Sequence, residues 1–138
     1  MYEHVVVGVN DSESTPAAVD RAVELAKISG GTVHLVSAFG LKRSEPSPPM
    51  PEEFRYTTAS VDPVDWRLSQ MEKVARKQGV PVTTHAVLGE AVEALTRVAE
   101  REAADLIVVG AAPSHAAHHR ATVADTLMRW TSCAVLTV

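Results

Sequence analysis

Short apolar, β-branched runs recur along the chain at residues 5–9 (VVVGV), 32–38 (TVHLVSA), 106–109 (LIVV) and 134–138 (AVLTV), with a weaker one at 80–87 (VPVTTHAV). Near-continuous apolar runs of this length fit strands buried on both faces. Segments of helical period separate them. Thr15 followed by Pro16 predicts a helix start, with a hydroxyl cap and proline at the first position. Ala18, Ala22, Leu25 and Ala26 then share a face until Gly30-Gly31. Asp62-Pro63 starts a second helix, with Leu68, Met71 and Ala75 inward, and Gly79 ends it. A third begins near Gly89, with Glu90 and Glu93 where carboxylates suit the helix dipole, and its stripe is Val92, Leu95, Val98 and Ala99. A fourth begins near Thr122, spaced from Asp125 as in a capping box, with Val123, Leu127 and Trp130 inward. The order β-α-β-α-β-α-β-α-β predicts an α/β fold, a doubly wound parallel sheet with right-handed crossovers and helices on both faces.

Residues 40–61 break the pattern. They carry Pro46, Pro48, Pro49 and Pro51 and exceed an ordinary loop. They are expected to be a mobile surface excursion; the alternative is a functional flap. The 138 residues fit a single domain, 1–138. A formal net charge of -4 argues against a nucleic-acid partner. No apolar run approaches the roughly 20 residues that span a bilayer. The opening MYEHVVVGVND has no basic region before its apolar stretch, so it does not read as a signal peptide. One cysteine, Cys133, allows neither an intramolecular disulfide nor a cysteine zinc cage. A cytoplasmic protein without a membrane partner is expected.

In open parallel sheets, ligands bind beyond the carboxyl ends of the strands where strand order reverses. With the first strand central, that crevice is lined by residues 10–14 and 110–120, and both segments lead into helix N-termini suited to anions. Other chemistry is weaker. His115, His118 and His119 beside Arg120 have metal-like spacing but no acidic or thiol partner, and a solvated, weakly basic segment accounts for them better. There is no G-x-S-x-G elbow and no Walker A sequence. Asp11 and Ser12 read as turn chemistry, Cys133 as a buried structural thiol, and Trp66 and Trp130 as packing residues. No catalytic set and no metal site is assigned.

Three segments, VVVGVNDSES…AAVDRAVELA, VLGEAVEALTRVAEREAADLIVVG and TVADTLMRWTSCAVLTV, together resemble the universal stress protein family. The resemblance covers nearly the whole chain except the proline-rich excursion. It implies a five-stranded sheet of order 3-2-1-4-5, the adenine nucleotide alpha hydrolase-like arrangement. It also implies homodimers paired through the last strand, cytoplasmic stress roles and, in one branch, binding of ATP or other adenine nucleotides. That branch carries Gly, two residues, Gly, nine residues, then Gly and Ser or Thr. Gly110 matches the first glycine, but Pro113 stands at the second and Ala121-Thr122 at the last pair. The intervening segment is two residues short, removing up to about 7 Å of reach. The family's adenine-contacting Asp corresponds to Asn10.

Pro113 has no N–H to offer a phosphate, and Ala121 adds a methyl where close approach is wanted. Asn10 still offers a carbonyl acceptor and adds amide donors. The resemblance therefore points to AMP or cyclic AMP rather than ATP. Val9 would wall the base, Asn10 would bond base or ribose, and Ser37 would touch the base edge. Gly110, Thr122 and Val123 would offer backbone groups to phosphate, with Arg120 as a side-chain cation. The expectation is a dimeric stress-response binding module, not an enzyme. Its alternatives are an interaction module that binds no nucleotide and a slow ATP hydrolase.

Overall fold

The computed structural model describes residues 1–40, 63–111 and 123–138. Five parallel strands run β1 (His4–Gly8), β2 (Thr32–Phe39), β3 (Val82–Leu88), β4 (Leu106–Val109) and β5 (Ala134–Thr137). Four helices are described: α1 (Thr15–Ser29), α2 (Pro63–Lys77), α3 (Ala91–Arg101) and α4 (Val123–Trp130). The sheet order is β3-β2-β1-β4-β5, as the resemblance implies.

Strand periodicity divides the apolar residues between two cores. Val5, Val7, Val9, Val33, Leu35 and Val108 pack with α1 and α2. Val6, Val36, Ile107 and Val109 pack with α3 and α4 on the other face. Each central strand therefore needs apolar side chains at successive positions, and this is why its sequence is nearly continuous in valine. The border strands differ. β3 alternates after Val82, and β5 has exposed Ala134 and Thr137 around half-buried Val135 and Leu136.

The helix faces follow the predicted stripes, with three corrections. Ser14, not Thr15, is the N-cap of α1, and its side chain makes no capping bond. Thr15 is the first helical residue, because its hydroxyl is drawn to Asn10 instead. Trp66 is 58% exposed rather than packed. It lies about 200° around α2 from Val64, whereas Leu68, Met71 and Ala75 return to the side of Val64. Trp130 is 71% exposed. Ala124 and Leu127 fill the core under α4, with Val123, Cys133 and Val135 at its rim, leaving no place for an indole at the helix's last residue. The Cys133 thiol is only half-buried and donates to the Ala104 carbonyl at 3.3 Å; burial pushes its pKa up. Residues 41–61 of the proline-rich stretch lie outside the described residues, as do Asp62 and Thr122 of the predicted helix starts.

Asp105 ties the entry of β4 to that of β1. Its Oδ2 accepts the N–H groups of Glu3 (2.7 Å) and His4 (3.1 Å), and its own N–H donates to the His4 carbonyl (2.9 Å). The His4 N–H, followed by that of Glu3, holds the carboxyl below the usual carboxylate range. A depressed folded pKa gives stability that is complete above the unfolded value, about 4, and is lost as pH falls through the folded one. Asp105→Asn is therefore expected to lower the urea midpoint at neutral pH, with the two proteins converging as pH falls below the usual carboxylate range. Urea titrations across that range check it; a constant difference down to acid pH would contradict it.

Candidate functional site

The site begins where β1 ends. Val9 is buried on the α1 side of the sheet, and its N–H still donates to the Val36 carbonyl at 2.8 Å. Asn10 then leaves the sheet and organises the turn. Its Oδ1 accepts the Ser12 N–H and the Thr15 hydroxyl, both at 2.8 Å. The Asn10 N–H donates to Thr15 Oγ1 at 3.4 Å. This is an Asx turn closed by the first helical residue. Oδ1 already accepts twice, so what the exposed Asn10 side chain can still offer a ligand is its amide N–H groups. Ser12 and Ser14 continue the network, with their hydroxyl oxygens 2.8 Å apart. α1 has no acidic residue in its first turn, while Asp11 and Glu13 precede its Ser14 cap.

The other wall begins at Gly110, after β4. A side chain there would collide with Ser14: an added Cβ would run into its Oγ and stand 2.9 Å from its Cβ. The segments after β1 and β4 are thus in direct contact, and this contact requires glycine. The N–H of Ala111 donates to the Val138 carbonyl at 2.7 Å, so the end of β5 fixes this wall from the far side.

Ser37 lies near the end of β2 on the same sheet face as Leu35 and Val9. It is 1% exposed, and its hydroxyl has no hydrogen-bond partner among the described residues. A buried hydroxyl left unpaired costs about 1–3 kcal/mol. On a strand face it shares with buried Val33 and Leu35, its polarity is unexplained by packing.

The structure therefore brings Val9, Asn10 and Ser37 to the ends of adjacent strands and sets Gly110 against Ser14. Val123 opens α4 and is partly buried in the opposite core. Arg120 and Thr122 lie outside the described residues, as do Pro113, Ala121, His115, His118 and His119. Sequence reasoning placed Ser14 in the crevice lining without a role and read Thr15 only as a helix cap. Their signal was the N-D-S-E-S-T run, in which three hydroxyls follow an Asx residue within five positions.

Gly110→Ala is expected to cost about 1–3 kcal/mol through overpacking against Ser14. Ser14→Gly in the same chain should recover most of it, since a glycine cap costs only a few tenths of a kcal/mol. Urea unfolding of both variants checks this. An equal loss with and without Ser14→Gly would place the strain elsewhere.

The profile described as "Universal stress protein family" matches residues 1–138. A universal stress protein of Mycobacterium tuberculosis is 28% identical over 110 residues, covering 79% of this chain and 75% of that protein. A universal stress protein solved in complex with cAMP shares 28% identity at a TM-score of 0.75, over 99% of this chain and 97% of the other. One from Archaeoglobus fulgidus, solved with dAMP, has a TM-score of 0.67 at 19% identity, over 99% and 97% of the two chains, and shares the fold. With its profile matched from end to end and its strand order 3-2-1-4-5, the chain belongs to the universal stress protein family.

Proposed function

We propose that this universal stress protein is a binding module for a small adenine nucleotide, AMP or cyclic AMP rather than ATP. The observation that carries the reading is the buried Ser37 hydroxyl, without a hydrogen-bond partner among the described residues, beside Val9 at the carboxyl ends of the central strands. A ligand edge with a donor or acceptor would relieve its desolvation, and Val9 would supply the apolar wall a base requires. Asn10 would donate from its free amide to a ring nitrogen or ribose oxygen. Gly110 and Val123 would give backbone groups to the phosphate, with Thr122 and Arg120. The family relative solved with cAMP at 28% identity supports this ligand class.

ATP is disfavoured because Pro113 and Ala121 replace two glycines and the segment between them is short. The module regulates by binding, as a cytoplasmic stress-response protein, and carries out no chemistry of its own. No nucleophile or metal-holding carboxylate is assigned in the crevice, as phosphoryl transfer would need. The module acts as a homodimer paired through β5. That strand is a sheet border with half-buried Val135 and Leu136, and the neighbouring α4 exposes Met128 and Trp130. Uncovered apolar edges invite such pairing.

Thermal unfolding with AMP, cyclic AMP and ATP, each with and without magnesium, tests the proposal. A ligand at 100 times its Kd adds about 2.7 kcal/mol. AMP or cyclic AMP should raise Tm while ATP does not; a larger shift with ATP, or no shift with any, contradicts it. Asn10→Ala removes the amide donor and should weaken AMP binding by about tenfold, or 1.4 kcal/mol, in a calorimetric titration; urea unfolding confirms that the variant folds without the two bonds to Oδ1.

A further inference from the structure

The opposite end of the sheet holds a second polar cluster. His4 opens β1, His34 is the third residue of β2, and Thr83 and His85 lie in β3. All four approach one another on the α3 side, at the amino-terminal ends of the strands. His34 is 3% exposed. Its Nε2 is 3.1 Å from His4 Nδ1, and its Nδ1 is 3.2 Å from His85 Nε2 and 2.6 Å from Thr83 Oγ1. Thr83 Oγ1 is also 3.2 Å from His85 Nε2. Glu102, which caps the C-terminus of α3, completes the group. One nitrogen from each of His34 and His85 and a Glu102 carboxylate oxygen lie within 4.8 Å of one another.

We propose that His34, His85 and Glu102 form a binding site for a divalent transition cation of the zinc class, separate from the nucleotide crevice. Two nitrogens about 2.0–2.1 Å from a tetrahedral zinc ion stand about 3.3 Å apart, and the two facing ring nitrogens already stand 3.2 Å apart. His34 would bind through Nδ1 and His85 through Nε2. His34 Nε2–H then donates to His4 Nδ1, the type of outer hydrogen bond that fixes the tautomer of a ligating histidine. Three protein ligands leave a fourth position for water, with Thr83 Oγ1 beside it. Two imidazoles with a carboxylate suit zinc, cobalt or nickel better than magnesium or calcium.

The electrostatics agree with this geometry. Burial is the main influence on both rings and disfavours their charged forms, lowering their pKa values. The Glu102 charge favours a cation beside both rings; Arg101 opposes one beside His85. The negative end of the α3 dipole adds to Glu102.

Calorimetric titration of the full chain with Zn2+ tests the proposal. One ion per chain is expected. His85→Gln and Glu102→Gln, both at half-buried positions, should each weaken binding by at least about tenfold, the scale seen even for outer-shell partners. Urea unfolding without metal confirms that each variant folds. Ring nitrogen NMR of the unaltered protein gives a readout that needs no variant: Zn2+ should shift His34 Nδ1 and His85 Nε2. Replacing His115, His118 and His119 together with glutamine should leave binding intact. Absence of binding, unchanged affinity in His85→Gln, or loss of binding in the triple variant would overturn the proposal. A closed hydrogen-bond chain among His4, His34, Thr83 and His85 would then account for the cluster.

Discussion

Val5, Val6 and Val7 have no exposed surface, and the other elements are placed by what these three residues require. β1 pairs with β2 on one side and β4 on the other, so its backbone groups are satisfied within the sheet. Its side chains alternate between two apolar layers, one under α1 and α2 and one under α3 and α4. A strand buried on both faces and paired at both edges must sit in the middle. The chain then has to wind outward from it in both directions, and the reversal of strand order opens a crevice at the carboxyl end of β1. The position of the candidate site is thus a consequence of burying three consecutive valines.

The same requirement explains what could be seen in the sequence. The run LIVV at 106–109 is β4 to the residue, because a strand buried on both faces leaves a continuous apolar signature. The border strand β3 is blurred in the sequence, since only part of it is buried. The tryptophans misled for a physical reason: a bulky apolar residue suggests burial, yet the stripe of α2 passes on the other side of Trp66 and α4 ends at Trp130. Thr15-Pro16 has the composition of a helix start, but the deeper attraction of the hydroxyl is to Asn10 Oδ1. Of the crevice, Asn10 and Gly110 were legible by position. That Ser14 requires Gly110 to be glycine was not, because the two are 96 positions apart and meet only through the parallel pairing of β1 with β4.

The histidines at the other end were hidden in the same way. Each is a single polar residue in a strand, and only the register of β1, β2 and β3 draws them together. The two ends of the sheet therefore differ in chemistry. The carboxyl ends present backbone groups, an Asx turn and a helix N-terminus, which favour an anionic ligand. The amino ends present imidazoles and the carboxylate that follows a helix C-terminus, which favour a cation. In a parallel sheet the helices enforce this polarity: their amino ends gather at one edge of the layer and their carboxyl ends at the other.

If a small adenine nucleotide occupies the crevice at the end of β1, an amide and side-chain NMR titration with cyclic AMP will detect it there. Perturbations should gather on Val9, the Asn10 side-chain amide, Ser37 and Gly110, while His4, His34 and His85 are unmoved. Perturbations absent from these four residues, or centred on the histidine end of the sheet, would contradict that placement.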